Sequence, residues 1–179
     1  MLARTHENPL QRRSSSSALN ELAGQNIFCS EFGYRAGTVI FGETEPAEYF
    51  YQVKSGAVRS YKLLNDGRRQ IIAFHLPGDI FGVESGAAHR FTTEAIVATT
   101  VKLTKRHNVM DERGGRATNN VLGLVTRNLQ HAEDHMLLLG RKTAFEKVSA
   151  FLVEMDDRLA ATGVVMLPMK RRDIADYLG

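Results

Sequence analysis

Few residues in this chain could do chemistry, and they do not gather into a reactive set. Cys29 is the single cysteine. It cannot form a disulfide within the chain, and about four thiolates are needed for an iron–sulfur cluster. A lone cysteine suits a reducing compartment, and Cys29 reads as a half-buried apolar filler. Among six histidines, His131 and His135 stand four apart, a spacing that on a helix can grip a metal ion. No third ligand accompanies them, so solvation or interhelical hydrogen bonding is the simpler role. A cupin-type metal enzyme needs a His-x-His with a later Glu and His, and the β-rich region offers only His75 and His89. There is no nucleophile elbow and no phosphate loop. These features argue against an enzyme and predict no metal and no cofactor. The chemistry that does stand out is cationic. Lys170, Arg171 and Arg172 are consecutive, directly before a run of helical period. At a helix start such cations lie beside free N–H groups, which together suit a phosphate oxygen.

The elements that must position these groups follow from periodicity. The chain has 179 residues and a net charge of only +3, so it is not a polycation as a whole. No apolar run approaches a membrane span, and no charged-then-apolar leader opens the chain. Residues 1–26, with Arg12 and Arg13 ahead of Ser14, Ser15, Ser16 and Ser17, hold too little apolar surface to offset ordering entropy. They are expected to form a disordered tail, a short helix around Leu19 and Leu22 being the alternative. From Ile27 to Leu103 the pattern is that of strands, rich in β-branched and aromatic residues. Turn signals at Gly37, Gly42, Ser55-Gly56, Asp66-Gly67, Pro77-Gly78-Asp79 and Gly82 break it. Asp66-Gly67 signals a hairpin with positive φ at both central positions. Many short strands at even spacing mean a sandwich, jelly roll or small barrel.

The stretch 122–139 organises the rest. Leu122, Val125, Leu129, Ala132, Met136 and Leu139 recur at gaps of three and four in strict alternation, the spacing of a two-stranded coiled-coil seam, an ordinary amphipathic core helix being the alternative. Val121, Leu124, Leu137 and Leu138 lie off the seam and widen the apolar surface toward the helix's own subunit. Each well-buried seam side chain contributes roughly 1.5–3 kcal/mol. Association costs roughly 4–15 kcal/mol, so six residues from each of two helices suffice for a parallel homodimer. A second helix is expected over 143–161, with Ala144, Val148, Phe151, Leu152, Met155 and Leu159 on one face. Residues 164–167 read as a short strand, and 172–178 as a last helix.

These pieces, in this order, resemble the cyclic-AMP receptor protein / fumarate-nitrate regulator (Crp/Fnr) superfamily of bacterial transcription factors, and the FixK-type branch in particular. The resemblance covers residues 32–179. In the β region it rests on Gly37-Thr-Val-Ile-Phe, Tyr51-Gln-Val-Lys-Ser-Gly-Ala-Val-Arg, Asn65-Asp-Gly-Arg-Arg-Gln-Ile and Phe74-His-Leu-Pro-Gly-Asp-Ile-Phe-Gly. In the helices it rests on Met136-Leu-Leu-Leu-Gly-Arg-Lys-Thr-Ala-Phe-Glu-Lys-Val and Met169-Lys-Arg-Arg-Asp-Ile-Ala-Asp-Tyr-Leu-Gly. It implies an α+β architecture: a β jelly-roll sensor of the cyclic-nucleotide-binding type over 27–112, a long dimerisation helix over 113–140, and the N-terminal part of a winged helix-turn-helix over 141–179. Residues 172–178 would be the first helix of that motif, with Gly179 at its turn, and the recognition helix would follow.

The resemblance further implies a cytoplasmic homodimeric activator of genes for low-oxygen respiration or nitrogen fixation. It would bind a palindromic double-stranded DNA site and contact RNA polymerase through Thr162, Gly163 and Val164. Lys170, Arg171 and Arg172 would meet the DNA backbone. Cyclic-nucleotide binding in the family needs a Gly-Glu pair for the ribose and an Arg-Ser pair for the phosphate. Here Gly82-Val83-Glu84 displaces the acid by one, and His89-Arg90-Phe91-Thr92 puts no Arg-Ser pair in register. A buried phosphate needs a fixed, paired cation. Gly82, Glu84, His89 and Arg90 are therefore expected to form a degenerate effector pocket. A cyclic-nucleotide-responsive regulator is the alternative, and a cupin-type enzyme a more distant one.

Overall fold

The computed structural model describes residues 18–24, 27–110, 116–159 and 164–179. Its β region begins after a short helix, α1 (Ala18–Ala23). The strands follow as β1 (Ser30–Tyr34), β2 (Val39–Phe41), β3 (Tyr49–Ser55), β4 (Val58–Leu63), β5 (Arg69–His75), β6 (Ile80–Phe81), β7 (Thr92–Ala95) and β8 (Thr99–Lys105). They form two four-stranded sheets, ordered β1-β8-β3-β6 and β2-β7-β4-β5, with every pairing antiparallel. Each sheet alternates early and late strands, the double-sheet arrangement of a jelly roll. Phe41, Tyr51, Val53, Val58, Phe81 and Val101 fill the space between the sheets. The apolar run 93–103 is two strands rather than one, because residues 96–98 carry the chain from one sheet to the other.

The β4–β5 hairpin forms where Asp66-Gly67 signalled it, with a different turn. The Gly67 N–H donates to Leu64 O and the Leu64 N–H to Arg68 O. Only the glycine has positive φ, at 81°. Asn65 and Asp66 are therefore the central pair of the turn, and Gly67 follows in the left-handed region that L side chains avoid.

The tail expectation is corrected from Ala18 onward. Leu19 and Leu22, three apart on one face of α1, are buried against Phe50, Val109 and Leu124. The Asn120 side chain donates to Glu21 O at 2.7 Å. The residues before Ala18 are poor in apolar side chains, but Leu19, Leu22 and Ala23 of α1 are all buried in this cluster. Residues 1–17, 25 and 26 lie outside the described residues.

After α2 (Arg106–Met110) comes the long helix α3 (Arg116–Arg141), 26 residues. At about 1.5 Å per residue it runs about 39 Å. The next helix, α4 (Ala144–Leu159), starts at a capping box. The Thr143 N–H donates to Glu146 Oε2 at 2.8 Å, and the Glu146 N–H to Thr143 Oγ1 at 3.4 Å. Phe151 and Met155 of α4 join Phe74 and Leu76 of the jelly-roll region, Leu138 of α3, and Tyr177 and Leu178 in one cluster. Val148 and Leu152, read on the same face as Phe151, are exposed, so the stripe splits between the core and the outside. The last helix is α5 (Arg171–Leu178).

Residues 164–167 do not form a strand. Val165 and Leu167 pack on the core cluster, while Val164 and Met166 are exposed. The alternation that read as a strand is kept. The ladder is missing, because no strand among the described residues pairs with it.

Candidate effector pocket and nucleic-acid interface

The β6–β7 connection carries Gly82, Glu84, His89 and Arg90 in one loop. Gly82 has φ 74°, and a Cβ there would fall 2.6 Å from Tyr51 Cδ2. This glycine is required by the turn and by a ring packed against it. His89 is 2% exposed. Its imidazole stacks on Phe41 with ring centroids 3.6 Å apart, and neither ring nitrogen finds a hydrogen-bond partner. Glu84 Oε1 stands 3.7 Å from His89 Nδ1, and it accepts the Arg90 N–H at 3.2 Å. Burial pushes the His89 pKa below its ordinary value, and the Glu84 charge opposes this. Arg90 is exposed, its guanidinium 5.3 Å above the Phe91 ring.

A residue not singled out in the sequence holds the loop. Arg106, the first residue of α2, donates Nη1 to Ala47 O at 3.0 Å and to Gly86 O at 2.8 Å, and Nη2 to Glu84 O at 2.8 Å. One guanidinium thus ties three carbonyls from two loops. The contacts span up to 59 residues of sequence, so no local spacing could announce them.

On α3 the six seam residues are displayed rather than packed. Leu122 is 63%, Leu129 55% and Met136 63% exposed, and Val125 is exposed as well. Ala132 is exposed and Leu139 half-buried. Two of the off-seam residues, Leu124 and Leu138, are 9% and 8% exposed and belong to two different core clusters of their own chain. His131 and His135 do not face one site. His131 Nε2 lies 4.0 Å from Glu154 Oε1, and the His135 ring stacks on Tyr177 at 4.0 Å. Burial pushes the His135 pKa down, helped by the neighbouring His131. Among the described residues no three His, Cys, Asp or Glu side chains gather as a metal site.

Lys170, Arg171 and Arg172 are exposed at the start of α5. Lys170 is the N-cap residue, and its N–H donates to Asp173 Oδ2 at 3.2 Å. An open cleft of about 740 Å³ lies beside them, between α5 and the β4–β5 hairpin, with Arg68, Arg69 and Asp176 on its walls. Of the three expected polymerase-facing residues, Val164 is exposed, and Thr162 and Gly163 lie outside the described residues.

Comparison with known proteins agrees with this architecture. The family described as Cyclic nucleotide-binding domain matches residues 31–107. The Nitrogen fixation regulation protein FixK of Rhizobium meliloti is 44% identical over 82% of this chain and 67% of its own length. The protein of the same name from Bradyrhizobium diazoefficiens is 44% identical over 82% of this chain and 64% of its own. The solved structure of FixK2 from Bradyrhizobium japonicum superposes with a TM-score of 0.82 at 58% identity, covering 85% of this chain and 78% of that one. The chain spans about two thirds or less of the length of these curated relatives. They are named as regulators, not enzymes, and the chain belongs to the Crp/Fnr family of transcription regulators, within its FixK-type branch.

Proposed function

We propose that this chain is the sensor and dimerisation part of a cytoplasmic homodimeric transcription activator that binds a palindromic DNA site without a small effector. The observation that carries the proposal is the division of labour on α3. Leu124 and Leu138 are buried on their own subunit, while Leu122, Val125, Leu129 and Met136 stand exposed at heptad spacing. An apolar stripe of that length is expected to be covered, and a second copy of the same helix fits it by symmetry. Two half-sites roughly 34 Å apart, one helical turn, would then match the two-fold. Lys170, Arg171 and Arg172 meet phosphates in this reading, and Thr162, Gly163 and Val164 face RNA polymerase. The genes served are those of low-oxygen respiration or nitrogen fixation, by likeness to relatives named for that regulation.

Effector independence is supported by the loop that would hold a ligand. His89 fills the space beside Phe41, and Arg106 already occupies the loop carbonyls. The test is binding of the natural full-length protein to a palindromic duplex across a salt series, without and with cyclic AMP. Tight binding without the nucleotide is expected, and replacing Arg171 by Ala should weaken binding to all sequences and lower the salt slope by about one. Micromolar affinity for cyclic AMP by calorimetry would instead support the nucleotide-responsive alternative.

A further inference from the structure

Two arginines tie the jelly roll to the helix that carries the cationic triplet. Arg59 on β4 donates Nη1 to Asp173 Oδ1 at 2.6 Å and Nη2 to Glu94 Oε1 at 2.8 Å. Arg69 on β5 donates Nη2 to the same Asp173 Oδ1 at 2.6 Å and to Asp176 Oδ2 at 2.7 Å. The Gln70 side chain adds a bond to Asp176 O at 3.0 Å. Asp173 is 3% exposed, and its second oxygen accepts the Lys170 N–H. A buried carboxylate is costly unless its lone pairs are used, and here two guanidinium groups and a backbone N–H use them. Apolar contact alone would tolerate rotation of α5. Guanidinium–carboxylate pairs fix direction as well as distance. Glu94, the other partner of Arg59, lies on β7, the strand that leaves the loop of Gly82, Glu84, His89 and Arg90.

Resting on the DNA-binding reading above, we infer that Arg59 and Arg69 are positioning residues for DNA binding. They hold α5, and with it residues 170–172, in one orientation against the jelly roll, and Arg59 links that orientation to β7 through Glu94. The sensor sheet thereby acts on the DNA-binding helix directly, by a route separate from the dimer helix.

The variants Arg59→Gln, Arg69→Gln, Arg69→Lys and Glu94→Gln, made in the natural full-length protein, test this. Amide hydrogen exchange of α5 is measured alongside DNA affinity across a salt series, after circular dichroism confirms folding. Arg59 is the more buried of the two arginines, so Arg69→Gln carries the test if Arg59→Gln fails to fold. Faster exchange confined to α5 is expected in both Gln variants. A loss of about tenfold in affinity should accompany it, the equivalent of one charged hydrogen bond. The salt slope should stay that of the wild type, because neither arginine meets a phosphate. Arg69→Lys should retain more protection than Arg69→Gln, and Glu94→Gln should speed α5 exchange from a strand away. Wild-type exchange in α5 of both Gln variants would overturn the inference. So would a slope lowered by about one for each arginine, which would make them phosphate contacts. The exchange measurement needs no DNA. A wild-type protein that fails to bind DNA would sink the functional reading while still deciding whether these arginines position α5.

Discussion

The β6–β7 loop and the outer face of α3 carry two candidate functional sites, and the structure treats them in opposite ways. The loop is closed on itself. His89 stacks on Phe41, Arg106 binds three carbonyls, and Glu84 takes a backbone N–H. The seam is left open, with four large apolar side chains in solvent. The loop carbonyls and the Glu84 carboxylate find donors within the chain, while the two ring nitrogens of buried His89 stay unpaired; the apolar stripe on α3 has no cover from its own chain. On the proposed reading, the two regions call for different tests: assembly for the stripe on α3, and ligand binding for the loop.

The largest effect should come from charging the seam. Ala132→Asp places a carboxylate where two helices would meet, and desolvating it costs more than the remaining contacts supply. The sedimenting mass should fall to that of one chain. Leu124→Ala sharpens the contrast, because Leu124 is buried on its own subunit. It should lower stability by roughly 2–5 kcal/mol in denaturant melts and leave the mass unchanged. An Ala132→Asp protein of wild-type mass would erase the difference drawn between the two regions.

A pH titration probes the closed side. His75 lies beside Ser60, with Nε2 and Oγ 2.9 Å apart, and burial drives its pKa down to about 4, with Arg158 adding to the fall and Asp79 opposing it. The folded value lies below the unfolded one, near 6.5, so the unfolded chain binds more protons between the two. Stability is therefore full above pH 6.5 and declines as pH falls toward 4. His75 contributes up to about 3 kcal/mol to that decline, with the depressed His89 and His135 adding in the same direction. Denaturant melts at pH 7 and pH 4.5 should show the loss, and His75→Gln should remove part of it. A flat profile would mean that water reaches the ring.

Breaking the clasp comes next in size. Arg106→Ala leaves Ala47 O, Glu84 O and Gly86 O without their donor. Water can reach part of this loop, so the cost should be about 2 kcal/mol rather than the sum of three charged bonds. Faster amide exchange over residues 84–91 should accompany it. If stability drops and cyclic AMP then binds, Arg106 has been standing in for a ligand.

The sequence made some of these regions readable and hid others, and the dividing line is sequence distance. The jelly-roll strands, α3 and α5 follow from periodicity, because burial of one face repeats every two or every 3.6 residues. The heptad spacing of the apolar residues exposed on α3 was legible for the same reason. α1 was misread as tail because its two leucines gain their meaning from Phe50 and Leu124, which lie far along the chain. Residues 164–167 alternate in burial yet form no ladder, since alternation reports faces and not partners. Arg59 and Arg69 each lie more than 100 residues from Asp173 in sequence, so their cluster left no local trace. Gly82, Glu84, His89 and Arg90 share the β6–β7 loop, as closely spaced residues between two strands must. Its plug, His89 against Phe41, could be found only once the sheets were assembled.

The smallest effect is expected at the hairpin tip, which belongs to neither region and so serves as their control. Gly67 has φ 81° and no atom within 4 Å of where a Cβ would stand. Gly67→Ala therefore meets no clash, unlike a Cβ at Gly82 beside Tyr51, and its cost is the left-handed backbone alone, about 1 kcal/mol. Denaturant melts should show that loss with sedimenting mass unchanged. A loss several times larger would mean that the tip is held by contacts beyond the turn, and a changed mass would mean that the hairpin takes part in assembly, which the proposed reading assigns to the stripe on α3.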